Sequence, residues 1–261
     1  MKFIIEEISG LFRVYELLKY LVSSDFKILY RNKALGVLWA VLDPLFMTLV
    51  YVILVKVIFQ KGGPDYPILL LSALMPWRWF TNTISNCTNV LISNGRLIQT
   101  VKISNIVFPV YQNVLGLINF LMGIIVLIPM LFIFNANITI NILWFFPIVL
   151  CQFIFTVGLS FIVSYIGLYF RDLQNILTFV LKIGLYMSPV LYEITNIPEK
   201  YRQLYIYFNP FASLMDSYKN VLVKGQAINN NFLIFVLYSV LFFVLGLYIY
   251  HKKQYQFAKD V

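Results

Sequence analysis

Six apolar stretches, at about residues 36–60, 68–92, 108–134, 142–168, 175–192 and 232–250, constrain this chain more than any other feature. A bilayer core needs about 20 mostly apolar residues per helical span, and each stretch meets or approaches that length. Of 261 residues, 61% are hydrophobic, 18% aromatic and only 12% charged, where soluble domains carry about 25% charged residues. A soluble domain could not hide that much apolar surface. The sequence therefore predicts an all-α, polytopic membrane protein with six transmembrane helices. Glu6, Glu7 and Glu16 sit where the short apolar core of a cleavable signal peptide would have to be, so none is expected.

Cations set the orientation, because loops that stay in the cytoplasm are enriched in Lys and Arg. With the N-terminus inside, the inner face collects twelve of the 20 basic residues: Lys2, Arg13, Lys19, Lys27, Arg31 and Lys33 lead, followed by Arg96, Lys102, Arg171, Lys252, Lys253 and Lys259. The outer face receives Lys61, Lys200, Arg202, Lys219 and Lys224, and Lys56, Arg78 and Lys182 fall within spans. Both termini are expected in the cytoplasm, and the net charge of +9 is read as topology plus attraction to anionic headgroups, not as nucleic-acid binding.

Residues 1–35 form a cytoplasmic N-terminus. Leu11, Val14, Tyr15, Leu18, Leu21 and Val22 share one helical arc, with Arg13, Glu16, Lys19 and Ser23 opposite. An amphipathic helix lying in the membrane interface fits this pattern, and so does a cytoplasmic helix packed on another subunit. Residues 36–250 form the six-span domain and 251–261 a cytoplasmic tail. Within the domain, about 193–231 is amphipathic yet cut by Asn209-Pro210 into pieces too short to cross a bilayer. Two short re-entrant or interfacial helices on the outer face are expected there.

The second stretch carries a polar stripe. Arg78, Thr81, Asn82, Ser85, Asn86, Asn89 and Ser93 fall on one helical face. Polar residues at bilayer depth line a path or join helices by hydrogen bonds. An arginine with three asparagines exceeds what joining helices usually requires, which favours the path. Trp77, Trp79 and Phe80 stand at its start, where rings mark the membrane interface or stack on sugars and lipid chains. Cys87 and Cys151 read as small apolar packers, and the single His251 assembles no metal-ligand cluster.

Asp43, followed by Pro44, and Lys182 each lie about seven residues into their spans, or about 10 Å from the cytoplasmic boundary at 1.5 Å per residue. Either Asp43 hydrogen-bonds locally at the proline while Lys182 snorkels, or the two pair and hold an inner gate shut.

Several strings, in this order, carry a resemblance: "RNKALGVLWAVLDPLFMTLVY", "LMPWRWF", "YFRDLQNIL", "YMSPVLY", "IPEKYRQLYIYFNPFASL" and "MDSYKNVL". From about Leu11 onward the chain resembles the permease subunit of polysaccharide-export ABC transporters of the type-2 permease family. The resemblance implies a half-transporter that pairs with a second copy around a central channel and works with two copies of a separate nucleotide-binding subunit. Its substrate would be a lipid-linked glycan of the O-antigen, teichoic acid or capsule type, crossing a bacterial cytoplasmic membrane. It also implies a coupling segment, about 91–108 and extending to Pro109, carried by Gly95, Arg96, Lys102 and Pro109; many family members have a Pro-Arg pair where this chain has Ser104-Asn105. It adds a gate-bracing role for Arg171 and Asp172, which otherwise read as a headgroup anchor and a helix cap.

No G-x-x-x-x-G-K-[ST] phosphate loop exists in the sequence, so ATP and Mg are expected on the partner subunit and no cofactor on this chain. A drug, lipid or haem exporter of the same superfamily is the nearest alternative. A membrane-embedded glycan-modifying enzyme would need converging acid/base or metal-binding groups, but the eleven acidic residues are scattered. An ion-coupled carrier would be expected to show an internal repeat, and none is visible.

Overall fold

The computed structural model describes residues 10, 14–31, 35–60, 63–100 and 104–260, and among them every regular element is a helix. α1 (Tyr15–Arg31) precedes α2 (Trp39–Val52), which runs on into a wider π turn over Ile53–Ile58. α3 (Tyr66–Cys87) is followed by two short pieces, α4 (Val90–Ser93) and α5 (Gly95–Thr100). Then come α6 (Val107–Ile133), α7 (Phe145–Tyr169), α8 (Leu173–Met187), α9 (Glu199–Phe208), α10 (Pro210–Leu222) and α11 (Phe232–Asp260).

Three helical stretches, Val107–Ile133, Ile140–Tyr169 and Phe232–Gln254, are each long and apolar enough to cross a membrane. Each leaves large apolar side chains uncovered: Phe132, Ile133, Phe146, Leu233 and Leu237 are all more than 60% exposed. Such faces suit lipid or a partner rather than water. The boundaries differ from expectation at three places, one being that α11 runs on as helix to Asp260, through most of the expected tail. α3 ends at Cys87, short of residue 92, and α8 ends at Met187, where Ser188 turns to extended backbone.

α7 and α11 make the closest helix pair, and glycine is the reason. A Cβ on Gly158 would fall inside the backbone of Phe242 and Phe243, and one on Gly246 would strike the carbonyl of Gly158. Without those side chains the two backbones touch, which raises dispersion contact where the hydrophobic effect gives no drive.

Polar side chains join the remaining helices. Asn113 on α6 donates from Nδ2 to Ser160 Oγ on α7 at 2.9 Å, both fully buried. Gln152 on α7 donates from Nε2 to the Pro76 carbonyl of α3 at 2.8 Å, and its Oε1 accepts from Tyr218 Oη of α10 at 2.7 Å. Each bond replaces water that is absent at this depth.

The segment split by Asn209-Pro210 folds as α9 and α10. Asn209 is the junction: its Oδ1 accepts from the Phe211 amide at 3.0 Å, capping α10, while its Nδ2 donates to the Met187 carbonyl at 3.0 Å. Pro210 begins α10, where its missing N–H costs nothing. α10 is buried along most of its length, so this segment is part of the core rather than a loop on it.

Candidate functional site

α1, α2, α3 and α6 surround a cavity of about 300 Å³. α3 turns Arg78, Asn82, Ser85 and Asn86 toward it, and α6 adds Gln112 and Asn119. The opposite character comes from Met75, Leu115 and Phe120, which are buried apolar walls. Four of the seven stripe residues therefore face one hollow. α1 borders the hollow through Tyr30, whose Oη donates to Asn119 Oδ1 at 2.9 Å. Burial, and then the nearby Asp43 carboxylate, raise the Tyr30 phenol above its ordinary value.

The stripe does not continue as one face. Thr88 Oγ1 bonds the Ser85 carbonyl at 2.7 Å and Asn94 Nδ2 bonds the Val90 carbonyl at 2.8 Å, local bonds that compete with helix continuation. The chain bends at Thr88 and Asn89, against Gly167 of α7, whose missing Cβ makes room for the Thr88 carbonyl. Asn89 consequently leaves the cavity and donates from Nδ2 to Gln174 Oε1 of α8 at 2.5 Å. Thr81 and Ser93 bond backbone carbonyls of their own helical segments.

The aromatic cluster divides as well. Trp77 and Phe80 are 4% exposed and pack on Phe211 of α10, with ring centroids 4.9 and 4.6 Å away. Neither belongs to the cavity wall, so neither offers an open face for stacking a sugar in this arrangement. Trp79 does line the cavity, stacked on Phe120 at 4.9 Å.

Asp43 meets Arg78: Nη2 lies 3.3 Å from Oδ2, with 26% of the arginine and 55% of the aspartate side chain exposed. Lys182 is exposed on α8. Within the chain, then, the partner of Asp43 is Arg78 and not Lys182. Pro44 sits inside α2 as expected, with Thr48 Oγ1 on its carbonyl at 2.7 Å. Arg171 and Asp172 are both exposed, and Asp172 occupies the N-cap position of α8 without a side-chain capping bond.

In the coupling segment, Gly95 is buried at the start of α5 and Arg96 is exposed, while Lys102 lies outside the described residues. Pro109 is buried in the first turn of α6, where its carbonyl accepts from Asn113 Nδ2 at 2.8 Å. The C-terminal helix holds this segment: Tyr250 Oη donates to the Asn105 carbonyl at 2.8 Å and Asn105 Nδ2 to the Gln254 carbonyl at 3.2 Å.

Sequence reasoning missed a second polar cluster. Lys219, expected as an exposed outer cation, is only 3% exposed, and its Nζ donates to the carbonyls of Pro189, Val190 and Tyr192 at 2.7, 3.2 and 2.7 Å. Burial pushes its ammonium down to about 7. Nearby, Lys224 pairs with Glu193, and burial raises the Asp216 carboxyl against the pull of Lys224. A lysine spaced with Asp216 and Asn220 on an amphipathic helix was the available signal.

The cavity's side chains are hydrogen-bonding groups and one ion pair, a set that can hold a polar group rather than cleave a bond. Among the described residues, no group of three or more His, Cys, Asp or Glu side chains could hold a metal ion.

Comparison with known proteins adds an independent line. The model of the ABC-2 type transporter family matches residues 16–223. The O-antigen export system permease protein RfbA of Klebsiella pneumoniae is 30% identical over 247 residues, spanning 94% of this chain and 95% of the relative. Its namesake in Myxococcus xanthus is 31% identical over 217 residues, 83% of this chain and 84% of the relative. The polysialic acid transport protein KpsM of Escherichia coli is 24% identical over 222 residues, 82% of this chain and 85% of the relative.

Proposed function

From the ABC-2 type transporter family, to which the chain belongs, we propose that it is the membrane-spanning subunit of an ATP-driven exporter of a lipid-linked polysaccharide. The observation that carries the reading is similarity along most of the chain to permeases named for O-antigen export and to a protein named for polysialic acid transport. The chain is a transporter subunit and not an enzyme. O-antigen, teichoic acid and capsule glycans share a long polar chain on a lipid anchor, and any of them fits this reading.

Six spans then comprise α2 with its π turn, α3, α6, α7, α8 and α11, with both termini on the cytoplasmic side of a bacterial inner membrane. α3 has 22 residues, about 33 Å at 1.5 Å per residue, which supports counting it despite its polar stripe. α9 and α10 form the re-entrant outer segment. Two copies enclose the channel, and exposed apolar surface on α2 and α8, including Phe46, Val50, Phe179 and Ile183, supports a contact with a second copy. Across that contact Lys182 could meet the partner's charges and, with Arg171 and Asp172, brace the inner gate.

Energy enters from two nucleotide-binding subunits that hold ATP and Mg and press on α1 and on the segment around Gly95 and Arg96. Closure of those subunits biases the channel between two states by favouring one of them. The test is complementation. In a strain lacking its own O-antigen permease, the chain and its nucleotide-binding subunit restore surface glycan, whereas restored drug or haem efflux without glycan would overturn the substrate class.

A further inference from the structure

Three buried polar atoms on α3 lack a hydrogen-bond partner: Arg78 Nη1, Trp79 Nε1 and Thr83 Oγ1. Orphaned buried donors are uncommon and costly, so each calls for a cause. All three residues line the same cavity, and Trp79 and Thr83 are 4% and 2% exposed. Gly116 of α6 faces them. A Cβ there would collide with Thr83 Oγ1 and lie 3.3 Å from Trp79 Nε1. Lacking a Cβ, Gly116 lets the α6 backbone pack directly against both donors.

We propose that this cavity binds the phosphate group of an amphiphile, held by Arg78, Trp79 and Thr83. One guanidinium and two neutral donors favour an anion over a neutral acceptor, and three donors suit a group with three or more oxygens better than a carboxylate. The apolar wall of Met75, Leu115 and Phe120 gives the attached hydrocarbon a place. Asp43 holds Arg78 through a single 3.3 Å contact and is itself more than half exposed, so it acts as a counter-ion that an arriving phosphate displaces.

Such a phosphate has two sources, a resident membrane phospholipid or the carrier lipid of the exported glycan. Only the second rests on the export reading. Native mass spectrometry of the full chain with its nucleotide-binding subunit, titrated with phosphatidylglycerol, undecaprenyl phosphate and diacylglycerol, separates them. Both phosphate lipids should bind at least about tenfold more tightly than diacylglycerol, the scale of one hydrogen bond to a charged group. Arg78→Gln and Thr83→Val should each remove about tenfold of phosphate-lipid affinity without changing diacylglycerol, and Asp43→Asn should tighten it. Preference for undecaprenyl phosphate identifies the carrier lipid, and preference for phosphatidylglycerol a resident lipid. Equal binding of all three lipids, or phosphate binding indifferent to Arg78→Gln, overturns the site. Should Arg78→Gln fail to fold, Thr83→Val, which exchanges only the hydroxyl for a methyl of similar size, decides alone, and unchanged phosphate affinity there overturns the site equally. Loss of this site with glycan export intact would leave the proposed function standing.

Discussion

Arg78 of α3 and Asp43 of α2, 35 positions apart, meet with Nη2 3.3 Å from Oδ2 at the edge of the cavity. Their partial exposure limits what the pair contributes to stability, since exposed ion pairs are worth about 0–1 kcal/mol. The thermal stability of Asp43→Asn should therefore lie close to that of the unmodified chain, while Arg78→Gln should reduce export far more than protein level. A double-mutant cycle giving a coupling above about 1 kcal/mol would contradict this weak, displaceable pairing.

Solvent access along α3 follows from the bend at Thr88. In a chain with Cys87 and Cys151 replaced, cysteines at Asn82 and Asn86 should react readily with a water-soluble thiol reagent, and one at Ser85 more slowly. A cysteine at Ile84, whose side chain is 2% exposed, should stay protected. Uniform protection of Asn82, Ser85 and Asn86 in every transport state would show the stripe to be helix-joining rather than path-lining.

Three of the six expected spans and the Asn209-Pro210 break were legible because length and proline act locally. The end of α3 was not. Extending the stripe to Ser93 assumed an unbroken helix, yet Thr88 and Asn94 redirect their hydrogen bonds to nearby carbonyls and turn the chain. Lys219 escaped for the opposite reason, since its cage is built by carbonyls about 30 positions away. Trp77 and Phe80 look the same in sequence whether they face lipid, sugar or Phe211, and only the placement of α10 decides.

The knot of Pro76, Gln152 and Tyr218 should govern how α3, α7 and α10 stay together. Tyr218→Phe leaves the Gln152 Oε1 without its donor, a loss of about 1 kcal/mol by the scale of membrane-protein hydrogen bonds. A lower unfolding midpoint of the detergent-purified protein is the expected result. No change would mean that the bond carries no net stability.

Lys219 predicts a pH dependence of stability. Its folded value is about 7, while an unfolded lysine titrates near about 10.4. Between those values the unfolded chain binds the extra proton, so stability rises with pH across that window and levels off below about 7. The unfolding midpoint should rise from pH 7 to pH 9 more in the unmodified protein than in Lys219→Met. Parallel curves would contradict the burial of a titrating amine.

Reconstitution in liposomes tests export itself. The chain and its nucleotide-binding subunit are placed in liposomes with a lipid-linked O-antigen-type glycan, and glycan appearing in the lumen is measured with and without ATP. The expected result is ATP-dependent appearance that is lost when the nucleotide-binding subunit cannot hydrolyse ATP. ATP hydrolysis without glycan movement, or movement that needs no ATP, would contradict it.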